Sequence, residues 1–120
     1  MAEHNELGEK GEELARNFLR EKGYKIIETN WRFGKDEIDI IAIDNDYLVI
    51  VEVKTRRSNY FCEPEFAVNK KKQSFLIRAA HAYIIKKDID LEARFDIVSI
   101  IITSQKTHIN HIDFAFYPTL

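Results

Sequence analysis

Residues 36–54 read DEIDIIAIDNDYLVIVEVK, two β-branched, apolar runs split by Asn45-Asp46, each carrying acidic groups in its interior. β-Branched side chains are stiff at χ1 and pack well on a pleated surface, so the runs are predicted strands over 37–44 and 47–54. Asn45-Asp46 suits a tight hairpin turn. Side chains alternate between faces along a strand. In 47–54 this puts Tyr47, Val49, Val51 and Val53 on one face and Leu48, Ile50, Glu52 and Lys54 on the other. Both faces are apolar along most of the run, the pattern of a central strand covered on both sides. A strand of that kind forces a layered fold, in which helices have to cover the sheet.

The rest of the chain supplies them. Residues 6–22 are a predicted helix, with Leu7, Leu14, Ala15, Phe18 and Leu19 at helical spacing and Glu9, Glu13, Arg16 and Arg20 facing outward. Asn5 suits its N-cap, and Gly23 sits where a glycine closes a helix. A strand over 24–29 precedes the hairpin. A second helix is predicted over 66–87, with Val68, Phe75, Leu76, Ala79, Ala80, Tyr83 and Ile84 on its core side, followed by strands over 93–103 and 107–116. The order is αβββαββ. The helix after the third strand is long enough for a parallel crossover, so an α/β fold with a mixed central sheet flanked by helices is expected.

Length and composition limit the function classes. At 120 residues the chain is expected to form one domain, 1–120, and 45% hydrophobic with 32% charged residues is the balance of a globular protein. No apolar stretch approaches the roughly 20 residues that span a bilayer, so no membrane partner is expected. The acidic start MAEHNELGEKGEE lacks the apolar segment of a signal peptide, and the expected location is cytoplasmic. Cys62 is the one cysteine, which excludes an intramolecular disulfide and a multi-cysteine zinc site. With a net charge of −2, a polyanion would have to be held by local basic clusters.

The interior acids need an explanation of their own. A hairpin turning at 45–46 pairs residues whose numbers sum to roughly 91, which sets Asp39 opposite about residue 52. Desolvating an unpaired carboxylate costs several kcal/mol, and two adjacent anions also repel. A divalent cation bridging Asp39 and Glu52 would neutralise both, and all-oxygen ligands suit Mg²⁺ or Mn²⁺. The alternative is an ion pair of Lys54 with Glu52 or Asp39 at the solvent end of the sheet, without chemistry.

Asp39, twelve intervening residues and then Glu52-Val53-Lys54 on consecutive strands resemble the PD-(D/E)XK motif of restriction-endonuclease-like nucleases. The whole chain resembles the YraN-like bacterial family, an uncharacterised group of that superfamily similar in core to Holliday-junction resolvases. The matching stretches are Gly8, GEELA (11–15), Asn30 with Arg32, EIDII (37–41), VEVKTR (51–56), Ala67-Val68 with Lys72, and RFDIV (94–98). The resemblance implies a restriction-endonuclease-like fold in which Asp39 and Glu52 chelate Mg²⁺, the Val53 carbonyl adds a ligand, and Lys54 orients or deprotonates the attacking water. It also implies a role for Glu12, the acidic residue on the first helix, whose alternative is an ordinary surface acid. Gly8 and Gly11 near it would let another chain approach closely. Two departures stand out: Asp36 precedes EID where the family usually has glycine, and Cys62-Glu63 replace another usual glycine.

Basic residues cluster locally. KTRR (54–57) brings Arg56 and Arg57 past the proposed metal ligands, and Lys70, Lys71 and Lys72 open the second helix. Cations are disfavoured at a helix start, but helix N-termini bind phosphate, so Arg56, Arg57, Lys70 and Lys72 are candidate nucleic-acid contacts. For Lys70 and Lys71 a solvated run is an equal alternative. His108 and His111, three apart in a strand, point to opposite faces and do not suit a shared metal. Trp31 and Phe33 fit packing better than base stacking, and Asp96 suits either an ion pair with Arg94 or a substrate contact. The expected function is a Mg²⁺- or Mn²⁺-dependent DNA endonuclease, a homodimer if it cuts two strands symmetrically. A nucleic-acid-binding module without hydrolysis, or an interaction subunit of a DNA-processing complex, are the alternatives.

Overall fold

In a computed structural model, residues 6–57 and 68–118 are described. Asn5, Cys62, Glu63 and Ala67, each given a meaning above, lie outside them. The elements follow the expected order: α1 (Glu6–Glu21), β1 (Lys25–Phe33), β2 (Asp36–Asp44), β3 (Tyr47–Arg56), α2 (Lys70–Lys87), β4 (Glu92–Ile102) and β5 (Thr107–Phe116). The five strands form one sheet in the order β1-β2-β3-β4-β5. β3 pairs parallel to β4 across the α2 crossover, and the other neighbours are antiparallel. This is the mixed αβββαββ fold expected from the sequence.

The helices cover opposite faces. Ala15 and Leu19 of α1 bury Ile40, Ala42, Val49, Val51, Val98 and Ile100. Leu76, Ala79, Ala80 and Tyr83 of α2 bury Ile38, Ile41, Leu48, Ile50 and Phe95. β3 is therefore apolar on both sides because it is covered on both. Each such Val, Leu or Ile removed from water contributes about 1.5–3 kcal/mol, which fixes the strand that carries Glu52 and Lys54.

Element ends follow from local chemistry. Gly23 closes α1 at φ +96°, with the Tyr24 N–H donating to the Leu19 carbonyl at 3.0 Å. α2 begins later than the apolar pattern suggested. Asn69 is its N-cap, accepting the Lys72 N–H at 2.8 Å, which leaves Val68 before the helix. β1 runs four residues past its predicted end at Thr29, because Trp31 and Phe33 stack on each other and pack on Tyr83 and Phe75 of α2. The packing reading of these aromatics is the one the structure shows.

At Gly11 the close approach is made within the chain rather than by another one. A Cβ there would lie 1.9 Å from Thr55 Oγ1 and 2.8 Å from Thr55 Cβ. Since the clash includes the branch point of Thr55, side-chain rotation does not relieve it, and α1 has to move off β3. Gly11→Ala is expected to destabilise the protein by about 1–3 kcal/mol, the usual range for overpacking. A denaturant melt measures it, and an unchanged midpoint would show that α1 is not seated on β3 in this way.

Candidate metal centre

The β2–β3 ladder runs from Asp44↔Tyr47 to Ile40↔Val51, every pair summing to 91, and then stops. Asp39 and Glu52 are the first residues beyond it. Here the strands part, and the Val53 N–H donates to Asp39 Oδ2 at 2.8 Å. Across β2 the paired positions Thr29↔Ile40 and Trp31↔Ile38 flank Asn30, which takes the left-handed conformation (φ +51°) that asparagine tolerates better than most residues. Ile38 packs toward α2 and Ile40 toward α1, so the alternation of β2 breaks at Asp39. The kink turns the Asp39 carboxyl onto the end of β3. Because a strand residue directs its N–H and C=O to the same neighbour, the Val53 carbonyl also faces the Asp39 side.

The two carboxyls are close enough to act on each other electrostatically. Burial and the neighbouring Glu52 carboxylate push Asp39 well above the usual carboxylate range, and the Val53 N–H only partly offsets them. Burial also raises Glu52, against the pull of the Lys72 ammonium. Glu52 Oε1 is buried without a hydrogen-bond partner. The pair thus carries a deficit of positive charge and an unused acceptor, which fits a divalent cation.

Among the described residues, no group of three or more His, Cys, Asp or Glu side chains is placed to hold a metal. Asp39, Glu52 and the Val53 carbonyl would be the protein's share. That share suits Mg²⁺, which keeps several waters and often uses only one or two carboxylates.

Among the described residues, an ion-pair partner of Glu52 comes from α2. Lys72 Nζ lies 3.9 Å from Glu52 Oε1 and 3.3 Å from Asp36 Oδ2. Burial works against the charge of Lys72, but Glu52 and Asp36 outweigh it and raise its pKa. Lys54 also favours the ionised form of Glu52, but less than Lys72 does. Lys72, expected to touch nucleic acid, is therefore part of the carboxylate site itself. Asp36 faces Lys72, and its Oδ1 accepts the Glu37 N–H at 2.8 Å.

Glu12 approaches from the α1 side. Its Oε1 accepts from Asn30 Nδ2 at 3.0 Å, and its charge adds to the upward shift of Asp39. Asn30 also donates to Glu37 Oε1 at 3.4 Å, and Glu37 pairs with Arg32 at 3.2 Å. Asn30 is the site residue that sequence reasoning passed over, although it stands in the matched stretch with Arg32. Arg56 and Arg57 lie at and just past the end of β3, and Lys70 and Lys71 are exposed at the start of α2. The structure does not bring these four to the carboxylates.

Asp96 belongs elsewhere. It is 1% exposed and accepts from Arg94 Nε at 3.0 Å and Nη2 at 2.9 Å, with His111 Nε2 at 2.7 Å. His108 is exposed on the same strand as His111. This network lies on the α1 side of the sheet, around Tyr24, apart from the Asp39–Glu52 pair.

The profile of the uncharacterised protein family UPF0102 matches residues 11–100, a span holding Glu12, Asp39, Glu52, Lys54 and Lys72. The chain belongs to this family. It is 50% identical to a UPF0102 protein of Flavobacterium psychrophilum over 117 residues, covering 98% of both chains. It is 49% identical to a UPF0102 protein of Bacteroides thetaiotaomicron over 120 residues, covering 100% of this chain and 99% of the other. A UPF0102 protein of Porphyromonas gingivalis is 41% identical over 118 residues, covering 97% and 87%. The UPF0102 match agrees with the grouping drawn from the GEELA, EIDII and VEVKTR stretches.

Proposed function

We propose that this UPF0102 protein is a Mg²⁺- or Mn²⁺-dependent endonuclease that hydrolyses phosphodiester bonds in DNA, with branched or partly processed DNA as the substrate class. One observation carries the reading: Asp39 and Glu52 converge where β2 leaves β3, with a buried Glu52 oxygen that no hydrogen bond satisfies and two lysines alongside. A surface that only bound a polyanion would gain nothing from two converging anions. A divalent cation bound there would supply Lewis-acid polarisation of the phosphate and a more acidic water. Asp39, Glu52 and the Val53 carbonyl would hold it. Lys54 would orient the attacking water or take its proton, and its charge would stabilise the phosphorane. Lys72, shared between Asp36 at 3.3 Å and Glu52 at 3.9 Å, would offset only part of the Glu52 charge and leave the rest to the cation. Glu12 would set Asn30, which stands opposite Asp39 on β1.

The direct test is a panel of linear, flapped, single-stranded and four-way-junction DNAs incubated with Mg²⁺ or Mn²⁺. A second test needs no substrate. Mn²⁺ at ten times its Kd is expected to stabilise the wild type by roughly 1.4 kcal/mol, and Asp39→Asn and Glu52→Gln should lose that gain. In Asp39→Asn the amide oxygen can still accept the Val53 N–H. Without metal, both amide variants should therefore melt at or above the wild type, being relieved of a crowded buried anion. Wild-type melting indifferent to Mn²⁺, together with destabilised amide variants, would make the two acids structural and favour a binding module.

A further inference from the structure

Beside the carboxylate pair, a cleft of 560 Å³ opens along the outer side of α2, lined by Asp36, Lys71, Lys72, Ser74, Phe75 and Arg78 together with Asn69. Its charges divide into two sets. Lys72 is engaged by Asp36 and Glu52. Lys71 and Arg78 have no ion pair or hydrogen bond among the described residues, and both are exposed. After Lys72 and Asp36 offset each other, the cleft keeps two uncommitted cations.

Their spacing indicates what they would hold. Lys71, Ser74 with Phe75, and Arg78 stand at i, i+3/i+4 and i+7, one stripe along the helix. Seven residues at 1.5 Å rise span about 10 Å, which is about three nucleotides of duplex at 3.4 Å per nucleotide of one strand. The polar groups are arrayed in a row rather than around a point, as suits a backbone lying along the helix more than a single small anion. The row leads through Lys72 to Glu52.

We infer that this cleft is a subsite for the sugar–phosphate backbone of one DNA strand, in which Lys71 and Arg78 hold two phosphates about three nucleotides apart, both on the same side of the bond positioned at Asp39 and Glu52. The inference rests on the nuclease reading for the location of that bond, but the binding it asserts is measurable without cleavage. Ser74 lies between the two cations and offers a hydroxyl to the intervening phosphate. Phe75, whose ring carries Lys72 over one face at 5.2 Å, gives the sugars an apolar floor. The contacts read backbone and not bases, so the subsite confers register without sequence preference.

The test is fluorescence polarisation of a labelled DNA duplex with the metal-free protein over a salt series. Lys71→Glu/Arg78→Glu is compared with Lys86→Glu/Lys87→Glu, an equal change of charge at the far end of the same helix. The cleft variant is expected to bind at least tenfold more weakly than the control variant. Its log–log salt slope should be smaller than the wild type's by about two, since each phosphate contact contributes about 0.9 to the slope. The neutral variant Arg78→Gln should reduce the slope by about one. Thermal melts establish that each variant folds. Equal losses in the two double variants, or an unchanged slope, would overturn the subsite. A wild type that binds in this cleft-dependent way but never cuts with Mn²⁺ would leave the subsite standing and remove the nuclease reading. A wild type that cuts while both double variants bind alike would do the opposite, and a wild type that binds no DNA would overturn both.

Discussion

Glu52→Gln is expected to lower the rate of Mn²⁺-dependent DNA cleavage by about 10²- to 10³-fold, from the loss of roughly 3–4 kcal/mol of transition-state stabilisation. The change is nearly isosteric, so it leaves β3 packed between Val51 and Val53 and removes only the charge whose Oε1 has no hydrogen-bond partner. Lys54→Ala should lose cleavage to a similar degree for another reason, because in the proposed mechanism it removes the group that would orient water and meet charge on the phosphorane. The two losses are separable. The Lys54 variant keeps Asp39, Glu52 and the Val53 carbonyl, so it should keep the Mn²⁺-induced rise in melting temperature that Glu52→Gln lacks. It should also still bind DNA without metal. Single-turnover cleavage and thermal melts on the same preparations check both statements. Full activity in Glu52→Gln would remove that residue as a ligand.

The site was legible in the sequence to the extent that it depends on strand pairing. The two-residue turn at Asn45-Asp46 fixed the sum of 91, and the ladder obeys it. Alternation placed Glu52 and Lys54 at the end of a buried row. What alternation could not show is the break at Asp39, because that depends on Asn30 adopting a positive φ on the neighbouring strand. The partner of Glu52 was also out of reach. Lys54 is its neighbour two residues on, while Lys72 reaches it only because the crossover sets the start of α2 over the end of β3. Gly11 likewise read as room for another chain, although its occupant is Thr55, 44 residues on. Local pattern carried the elements, and contacts between elements distant in sequence decided which charges meet.

Asp96→Asn is expected to cost about 3–5 kcal/mol of folding stability, the range for removing one partner of a buried ion pair. Arg94 is 5% exposed and holds Asp96 through two nitrogens, Asp44 Oδ2 at 3.0 Å and the Tyr24 hydroxyl. Asp96 also accepts from the Phe114 N–H at 3.3 Å, so the carboxylate ties the end of β5 to β4 where their register shifts. His111, on its other side, contacts Lys22 Nζ through Nδ1 at 2.7 Å and thereby reaches the end of α1. An amide in that place can satisfy only part of this donor set and leaves the buried guanidinium with Asp44 alone as its carboxylate partner. For a chain of this size the loss corresponds to a fall in melting temperature of roughly 10–20 °C.

The pH dependence gives the sign. Burial alone would raise the Asp96 carboxyl, but His111 and Arg94 outweigh it and hold it below the usual range. A depressed carboxylate contributes stability that is fully present above the unfolded value of about 3.9 and is lost as pH falls through the folded one. The gap between wild type and Asp96→Asn should therefore be widest near neutral pH and should narrow below about pH 4. Replacing both charges, as in Arg94→Met/Asp96→Leu, should cost less than Asp96→Asn alone, because the two most deeply buried charges go together, and Asp44, which loses Arg94, is partly solvated. Melts of the three proteins across pH decide it. An Asp96→Asn protein that melts like the wild type but no longer cuts DNA would return this aspartate to a substrate role.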